Sequence, residues 1–119
     1  MNHERWFMKH NPKKYLIDML DACRFLLEST QGKTVRDYNT DRMFRGSVER
    51  ELQNIGEALR QLESRSPDIA ARISGHERII RFRHALVHGY DSLNPQLVWD
   101  VIEQHLPTLC DELEILLNE

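Results

Sequence analysis

The sequence has few cysteines and no long uninterrupted run of apolar residues. Its two cysteines, Cys23 and Cys110, are far apart, unlike the closely spaced cysteines of zinc sites and disulfide-rich domains. Each falls on the apolar stripe of a predicted helix, so we expect both thiols to pack in the core. No segment approaches the roughly 18 apolar residues that a membrane span needs. The N-terminus also lacks the apolar stretch of a signal peptide, which predicts a cytoplasmic protein that does not associate with membranes.

Charge of one sign is not in large excess either. The 119 residues include 16 lysines and arginines against 19 aspartates and glutamates, for a formal net charge of -3. This balance does not indicate a globally basic nucleic-acid-binding domain. The charge is uneven, however, because residues 72–90 contain four arginines and a single glutamate. An acidic chain with one basic segment can still bind a polyanion at that segment.

Glycine and proline are also scarce, and polar and apolar residues do not alternate with the period of a strand. Apolar residues recur instead at spacings of three and four, as on amphipathic helices. The length suits a single domain over residues 1–119, with residues 1–10 as an N-terminal extension that we cannot place. We therefore predict an all-α antiparallel bundle of four main helices and one short helix.

Polar caps mark where these helices begin. Asn11 and Asn94 each precede a proline, which combines an N-cap with proline at the first helical position. Thr40 is expected to cap the second main helix after a polar connection over residues 33–39. A short turn is predicted from Ser66 to Ile73, and a third main helix from about Glu77 to near His88, ended by Gly89.

Two helix-disfavouring residues lie inside the predicted helices. Gly56 interrupts an apolar seam, and a close crossing with another helix would explain a residue that costs up to about 1 kcal/mol relative to alanine. Pro107 should bend the last helix, because proline lacks a backbone donor and crowds the preceding turn. The seam around Gly56 consists of Phe44, Val48, Leu52, Ile55, Leu59 and Leu62.

The segment 83–90, Arg-His-Ala-Leu-Val-His-Gly-Tyr, is the most informative in the chain. The planar guanidinium of Arg83 suits a phosphate, to which it can donate two parallel hydrogen bonds. The imidazole of His88 suits proton transfer near neutral pH. Together they suit cleavage of a phosphate ester. The alternative is an amphipathic helix end whose polar residues face water.

One arginine and one histidine are few groups for RNA cleavage. Attack by a 2′-hydroxyl needs a base, an acid and stabilisation of charge at phosphorus. Arg83 and His88 also lie about 140° apart around a regular helix, on different faces. A two-fold dimer would bring two copies of each residue to one cleft. RNA cleavage by these residues therefore predicts a dimer with the third main helix near its axis.

Two structural alternatives remain open for these residues. Arg83 can instead pair with Glu57 on the second main helix. His84 and His88, at positions i and i+4, have the spacing of a zinc pair, for which His76 or His105 would have to supply a third ligand. We expect neither a metal nor a cofactor.

The residues Arg83, His88 and Tyr90 form an Arg-x4-His-x-Tyr pattern that resembles the motif of the HEPN superfamily. More narrowly, the chain resembles the HepT-like toxins of type VII HEPN/MNT toxin–antitoxin systems. The resemblance extends from about Pro12 onward. It also includes residues 53–58, which are similar to the second core helix of that family. Residues 97–99 together with residues 106–107 are similar to its last helix.

This resemblance implies a metal-independent endoribonuclease that acts on transfer RNA or messenger RNA as a homodimer or higher oligomer. It implies that Arg83 and His88 are catalytic, with the active site in the dimer cleft. It further implies that a cognate minimal nucleotidyltransferase antitoxin neutralises the toxin by attaching AMP to Tyr90.

Other residues and functions are less tightly tied to the pattern. Arg78, Arg81 and His84 are candidate RNA-binding residues if they face the dimer cleft. Trp99 belongs to an apolar stripe and is expected to pack rather than to stack on bases. Two competing functions are a non-enzymatic helical adaptor and a module that binds a nucleotide in the basic cleft, either of them partnering a nucleotidyltransferase.

Overall fold

A computed structural model describes residues 11–88 and 94–119 of the chain. The predicted helical bundle is confirmed, and no strand occurs in these two ranges. Within them, no helix is both long and apolar enough to span a membrane. The helices are α1 (Lys13–Ser29), α2 (Val35–Thr40), α3 (Arg42–Arg65), α4 (Pro67–Ala70), α5 (His76–Val87), α6 (Pro95–Asp100) and α7 (Leu106–Leu117).

Helix α3 is the central element. It packs against α1 and α5 and contacts the short helices α2 and α4, while α1 also packs against α7. Its predicted apolar seam forms one side of the core, fully buried except for the half-buried Phe44. The thiols of Cys23 and Cys110 are free and buried as predicted, and burial raises the pKa of Cys23 to about 12.

The predicted cap at Asn94 is confirmed, whereas Pro12, not Asn11, occupies the N-cap position of α1. The Asn11 side-chain oxygen accepts a hydrogen bond from the backbone N–H of Lys13 at 3.0 Å. Asn94 accepts one from the backbone N–H of Gln96 at 2.9 Å, with Pro95 at the start of α6. These bonds satisfy backbone donors that the first turn of a helix leaves without partners.

The prediction for residues 33–40 was wrong in two respects. Most of this stretch forms helix α2, which Thr34 caps together with Asp37 through reciprocal hydrogen bonds. The buried Tyr38 anchors α2 and donates its hydroxyl proton to Glu49 of α3 at 2.9 Å. Asp41, not Thr40, caps α3, because its carboxylate accepts from the backbone N–H of Phe44 at 3.1 Å.

The last main helix is interrupted ahead of Pro107. Helix α6 continues into one π-helical turn, Val101–His105, and α7 then begins at Leu106. A proline cannot donate to the helical ladder, and a wider turn is one way to accommodate the missing bond. We expected Pro107 to bend the helix, and in the structure a π-helical turn precedes it.

Trp99 is a core residue, as predicted. Only 4% of its surface is exposed. Its ring centroid lies 6.2 Å from the centroids of both Tyr38 and Phe44, within the range of attractive aromatic pairs. Trp99 therefore links α6 to α2 and α3, and its ring is closed off from bases in solution.

Candidate functional site

The stem of Arg83 lies directly against the backbone of α3. A β-carbon built on Gly56 would be 2.2 Å from the Arg83 Cβ and 2.7 Å from its Cγ, closer than real atoms approach. Only glycine leaves room for this contact. The close helix crossing predicted at Gly56 is therefore confirmed, and Arg83 is the residue that fills it.

The guanidinium of Arg83 reaches a carboxylate one residue further along α3. Its Nη2 lies 3.1 Å from Oε2 of Glu57, so the pairing considered from the sequence is present. The Nε of Arg83 is buried without a hydrogen-bond partner among residues 11–88 and 94–119. Such an orphaned donor is uncommon and carries a desolvation cost.

Glu57 is shared between several donors. Arg60 donates from Nε to Oε2 at 3.1 Å and from Nη2 to Oε1 at 2.9 Å, in a bidentate arrangement. Gln61 donates to the same Oε1 at 3.1 Å. The hydrogen bond from Arg60 is the largest influence that lowers the pKa of Glu57, to about 2, helped by Gln61 and by the charge of Arg83.

The sequence interpretation missed Arg60 and Gln61. The signal that was available is their spacing, because residues three and four positions after Glu57 lie on the same side of a helix. Two guanidiniums now surround one carboxylate, so this cluster carries one net positive charge. We refer to Arg83, Glu57, Arg60 and Gln61 as the arginine cluster.

The outer face of α5 carries the other residues predicted for the site. Arg78, Arg81, His84 and His88 are all exposed. They follow one another at spacings of three and four, which places them on one side of the helix. Glu77 is the acidic residue in the first turn of α5. The outer face is therefore a basic strip suited to a polyanion.

His84 and His88 contact each other at the C-terminal end of this strip. Their ring centroids are 4.1 Å apart and the rings are inclined at 56°. The backbone N–H of His88 donates to the carbonyl of His84 at 3.1 Å, so His88 still follows the helical path. Two imidazoles are thus available side by side on one chain.

The two predicted catalytic residues face different directions within one chain. Arg83 faces α3, whereas the His88 ring lies against His84 on the exposed side. This agrees with the angular separation of about 140° on a regular helix. The predicted Gly89 cap and the predicted modification site Tyr90 lie outside the described residues.

The described ranges do not supply a third ligand for a His84–His88 zinc pair. No group of three histidine, cysteine, aspartate or glutamate side chains converges in residues 11–88 and 94–119. His76 lies 3.5 Å from Glu63 of α3. His105 and Arg78 both line an apolar cavity of about 310 Å³, which lies between α3, α5 and the last helix.

A wider groove of about 800 Å³ runs between α1 and α3 beside the arginine cluster. Glu57 and Gln61 form part of its wall, together with Asp18, Asp21 and Phe25. The cluster therefore lies between this groove on one side and α5 on the other. Its carboxylate is reached by solvent, since the Glu57 side chain is 37% exposed.

Comparison with known proteins identifies the family. The sequence profile described as Ribonuclease HepT-like matches residues 19–116. The chain is 28% identical over 108 residues to a candidate RNase of Caldanaerobacter subterraneus subsp. tengcongensis, covering 91% of this chain and 96% of that protein. It is 28% identical over 109 residues to the Probable ribonuclease HepT of Thermococcus cleftensis, covering 92% and 98%.

A second candidate RNase, from Methanocaldococcus jannaschii, is 26% identical over 108 residues, covering 91% of this chain and 98% of that protein. No solved structure matches the chain. The profile match spans most of the chain, including α3, α5 and the arginine cluster. This chain belongs to the HepT-like ribonuclease family of the HEPN superfamily.

Proposed function

We propose that this protein is a metal-independent endoribonuclease in which Arg83 and His88 carry out RNA cleavage. The observation that carries the proposal is the placement of Arg83, which is held against α3 five residues before an exposed histidine. A guanidinium that is fixed by packing and by an ion pair is suited to stabilising an oxyanion, because it need not move when negative charge develops on the phosphate. Membership of a ribonuclease family points to RNA as the substrate.

The proposed reaction uses Arg83, His88 and a second imidazole. His88 accepts the proton of a ribose 2′-hydroxyl, and the 2′-oxygen attacks the neighbouring phosphorus. The bond from phosphorus to the 5′-oxygen breaks, and that oxygen takes a proton from a second imidazole. Arg83 stabilises the negative charge that builds on the phosphoryl oxygens. The products are a 2′,3′-cyclic phosphate and a 5′-hydroxyl.

A homodimer would complete this site. Arg83 and His88 face different directions within one chain, and two-fold symmetry would place the histidine of one subunit near the arginine of the other. Val87, in the last turn of α5, is 46% exposed, which suits a contact between subunits near His88. Arg78, Arg81 and His84 would then line the cleft and bind the RNA backbone.

We further propose that the chain is the toxin of a type VII HEPN/MNT toxin–antitoxin pair, acting on transfer RNA or messenger RNA. A minimal nucleotidyltransferase would attach AMP to Tyr90, two residues after His88. The modification adds a bulky anionic group beside a cleft that receives an anionic backbone. It would block RNA sterically and compete with phosphate for Arg83.

The proposal is tested by incubating total RNA and transfer RNA with the protein in EDTA. We expect wild type to cleave and His88→Ala not to cleave, with both proteins showing the same helical circular dichroism and melting temperature. His105→Ala is the matched control, since it removes an exposed histidine from the π-helical turn. Cleavage by His88→Ala at the wild-type rate would remove His88 from the mechanism.

Absence of cleavage by all three proteins, in preparations whose mass shows no AMP, would favour the adaptor or nucleotide-binding alternatives. Sedimentation of the same samples tests the dimer. A monomer that cleaves RNA at the full rate would contradict the proposal that two subunits share one active-site cleft.

A further inference from the structure

We propose that Glu57 is a positioning residue that orients the guanidinium of Arg83 toward the scissile phosphate. The inference rests on the proposed ribonuclease function. Glu57 itself is not proposed to touch RNA, because a carboxylate repels phosphate. Its role would be exerted through its contact with Arg83, 3.1 Å away.

The packing at Gly56 fixes only part of the Arg83 side chain. The Cβ and Cγ lie against the backbone of α3, and neither can move closer. Rotation about the Cβ–Cγ, Cγ–Cδ and Cδ–Nε bonds still allows several positions for the guanidinium. The ion pair with Glu57 selects one of these positions. Gly56 therefore fixes the base of the Arg83 side chain, and Glu57 fixes the orientation of its guanidinium.

The rest of the cluster holds Glu57 in turn. Arg60 binds both carboxylate oxygens, and Gln61 donates to one of them. All three residues are on the same helix, so the carboxylate is fixed to a rigid element. Residues that orient a primary site residue in this way commonly matter about 10–100-fold for activity, as in the supporting shells of metal sites.

Arg60 also offsets the negative charge that Glu57 places beside Arg83. A carboxylate paired with Arg83 alone would cancel the charge that attracts phosphate. Because Arg60 shares the same carboxylate, the arginine cluster keeps one net positive charge while Arg83 is held in place. A cluster that stays positive while Arg83 is held in place is suited to positioning Arg83 for phosphate. It is less suited to masking the charge of Arg83 from RNA.

The proposal predicts that loss of the Glu57 carboxylate lowers kcat without raising KM. Removing the Glu57 carboxylate takes negative charge away from the RNA site, so KM for RNA should stay unchanged or fall. The released Arg83 no longer meets the phosphate in the reactive geometry, and an error of about 1 Å in such a group can cost roughly 100-fold. We therefore expect kcat to fall about 10–100-fold in Glu57→Ala.

The experiment compares wild type, Glu57→Ala, Glu57→Gln and Glu63→Gln in cleavage of one transfer RNA with EDTA present. Glu57→Gln keeps an oxygen that accepts from Arg83 and should retain an intermediate kcat. Glu63→Gln removes a carboxylate elsewhere on α3, close to His76, and should behave as wild type. An unchanged kcat in Glu57→Ala, or a higher one, would overturn the positioning role.

A double variant tests whether Glu57 acts through Arg83. In an Arg83→Ala background, Glu57→Ala should cause no further loss of cleavage, because the group it orients is already gone. A further tenfold loss would show that Glu57 acts by another route and would overturn the proposal.

A second measurement does not depend on activity. The buried Nε–H of Arg83 should give a slowly exchanging signal in a ¹H–¹⁵N spectrum, identified by its loss in Arg83→Ala. We expect the signal to shift or broaden in Glu57→Ala and to be unchanged in Glu63→Gln. An Arg83 signal that is identical in Glu57→Ala would overturn the proposal even if wild type did not cleave RNA, an outcome that would separately contradict the ribonuclease function.

Discussion

Gly56 and Arg83 are in closer contact than any residue with a side chain at position 56 would permit. A β-carbon on Gly56 would lie 2.2 Å from the Arg83 Cβ. The contact joins the central helix of the bundle to the helix that carries the candidate catalytic residues. It explains why a glycine interrupts an otherwise regular apolar seam, and it makes the position of Arg83 depend on α3.

Gly56→Ala should destabilise the protein by about 1–3 kcal/mol, the usual cost of overpacking. The closest clash is with the Arg83 Cβ, which no side-chain rotation can move, so α5 must shift. Better helix propensity offsets at most about 1 kcal/mol. Gly46→Ala is the matched control, because it lies on the same helix with nothing within 4 Å and should be neutral or slightly stabilising. Urea unfolding compares the two, and equal free energies of unfolding would refute the close contact.

The ion pairs of Glu57 should make stability sensitive to acid. Its pKa falls from 4.5 to about 2 on folding, so its contribution is fully present above about pH 4.5 and is lost as the pH falls toward 2. Glu57→Gln should therefore lose less free energy of unfolding over this window than wild type. Arg60→Ala, which removes the strongest influence on that pKa, should move the loss to higher pH. Parallel pH profiles for wild type and Glu57→Gln would contradict these ion pairs.

Much of this arrangement was predictable from local patterns in the sequence. Hydrophobic spacing predicts the seam of α3. The asparagine before a proline predicts the cap at Asn94. Gly56 lies in an apolar seam where a larger residue would pack better, and this predicted the close crossing of another helix. Helix α2 was missed, because its polar residues suggested a connection, although Thr34 and Asp37 have the spacing of a capping box.

The arginine cluster was less accessible from sequence. Glu57 was foreseen as a partner of Arg83, but the shared use of one carboxylate by Arg60 depends on rotamers and on how α3 meets α5. The contact between the rings of His84 and His88 likewise depends on side-chain torsions. Sequence spacing places both histidines on one face and does not fix the distance between them.

Trp99→Ala should cost about 3–5 kcal/mol of stability, the range for removing a large aromatic side chain from a core. The reason is its burial among Tyr38 and Phe44. At a temperature where the variant is folded, its KM for RNA should match that of wild type. A folded Trp99→Ala protein with selectively weakened RNA binding would instead indicate base stacking.

Under the proposed toxin–antitoxin pairing, Tyr90→Phe should remain an active ribonuclease that the nucleotidyltransferase cannot silence. Phenylalanine keeps the ring and lacks the hydroxyl that would receive AMP. Coexpression with the cognate nucleotidyltransferase followed by intact-mass measurement tests the switch. Wild type should gain the mass of AMP and lose cleavage, whereas the variant should do neither. Gain of AMP and loss of activity in Tyr90→Phe would assign the switch to another residue.

We infer that an oriented guanidinium at position 83 stabilises the charge that develops during metal-independent RNA cleavage. The most direct measurement is the single-turnover rate of transfer RNA cleavage in EDTA by wild type and by Arg83→Lys. Lysine keeps the positive charge and lacks the planar fork. We predict that the variant binds RNA and keeps its helical content but cleaves at least about 100-fold more slowly, as when an oxyanion donor is lost. Cleavage by Arg83→Lys at the wild-type rate would show that RNA cleavage does not depend on the guanidinium of Arg83.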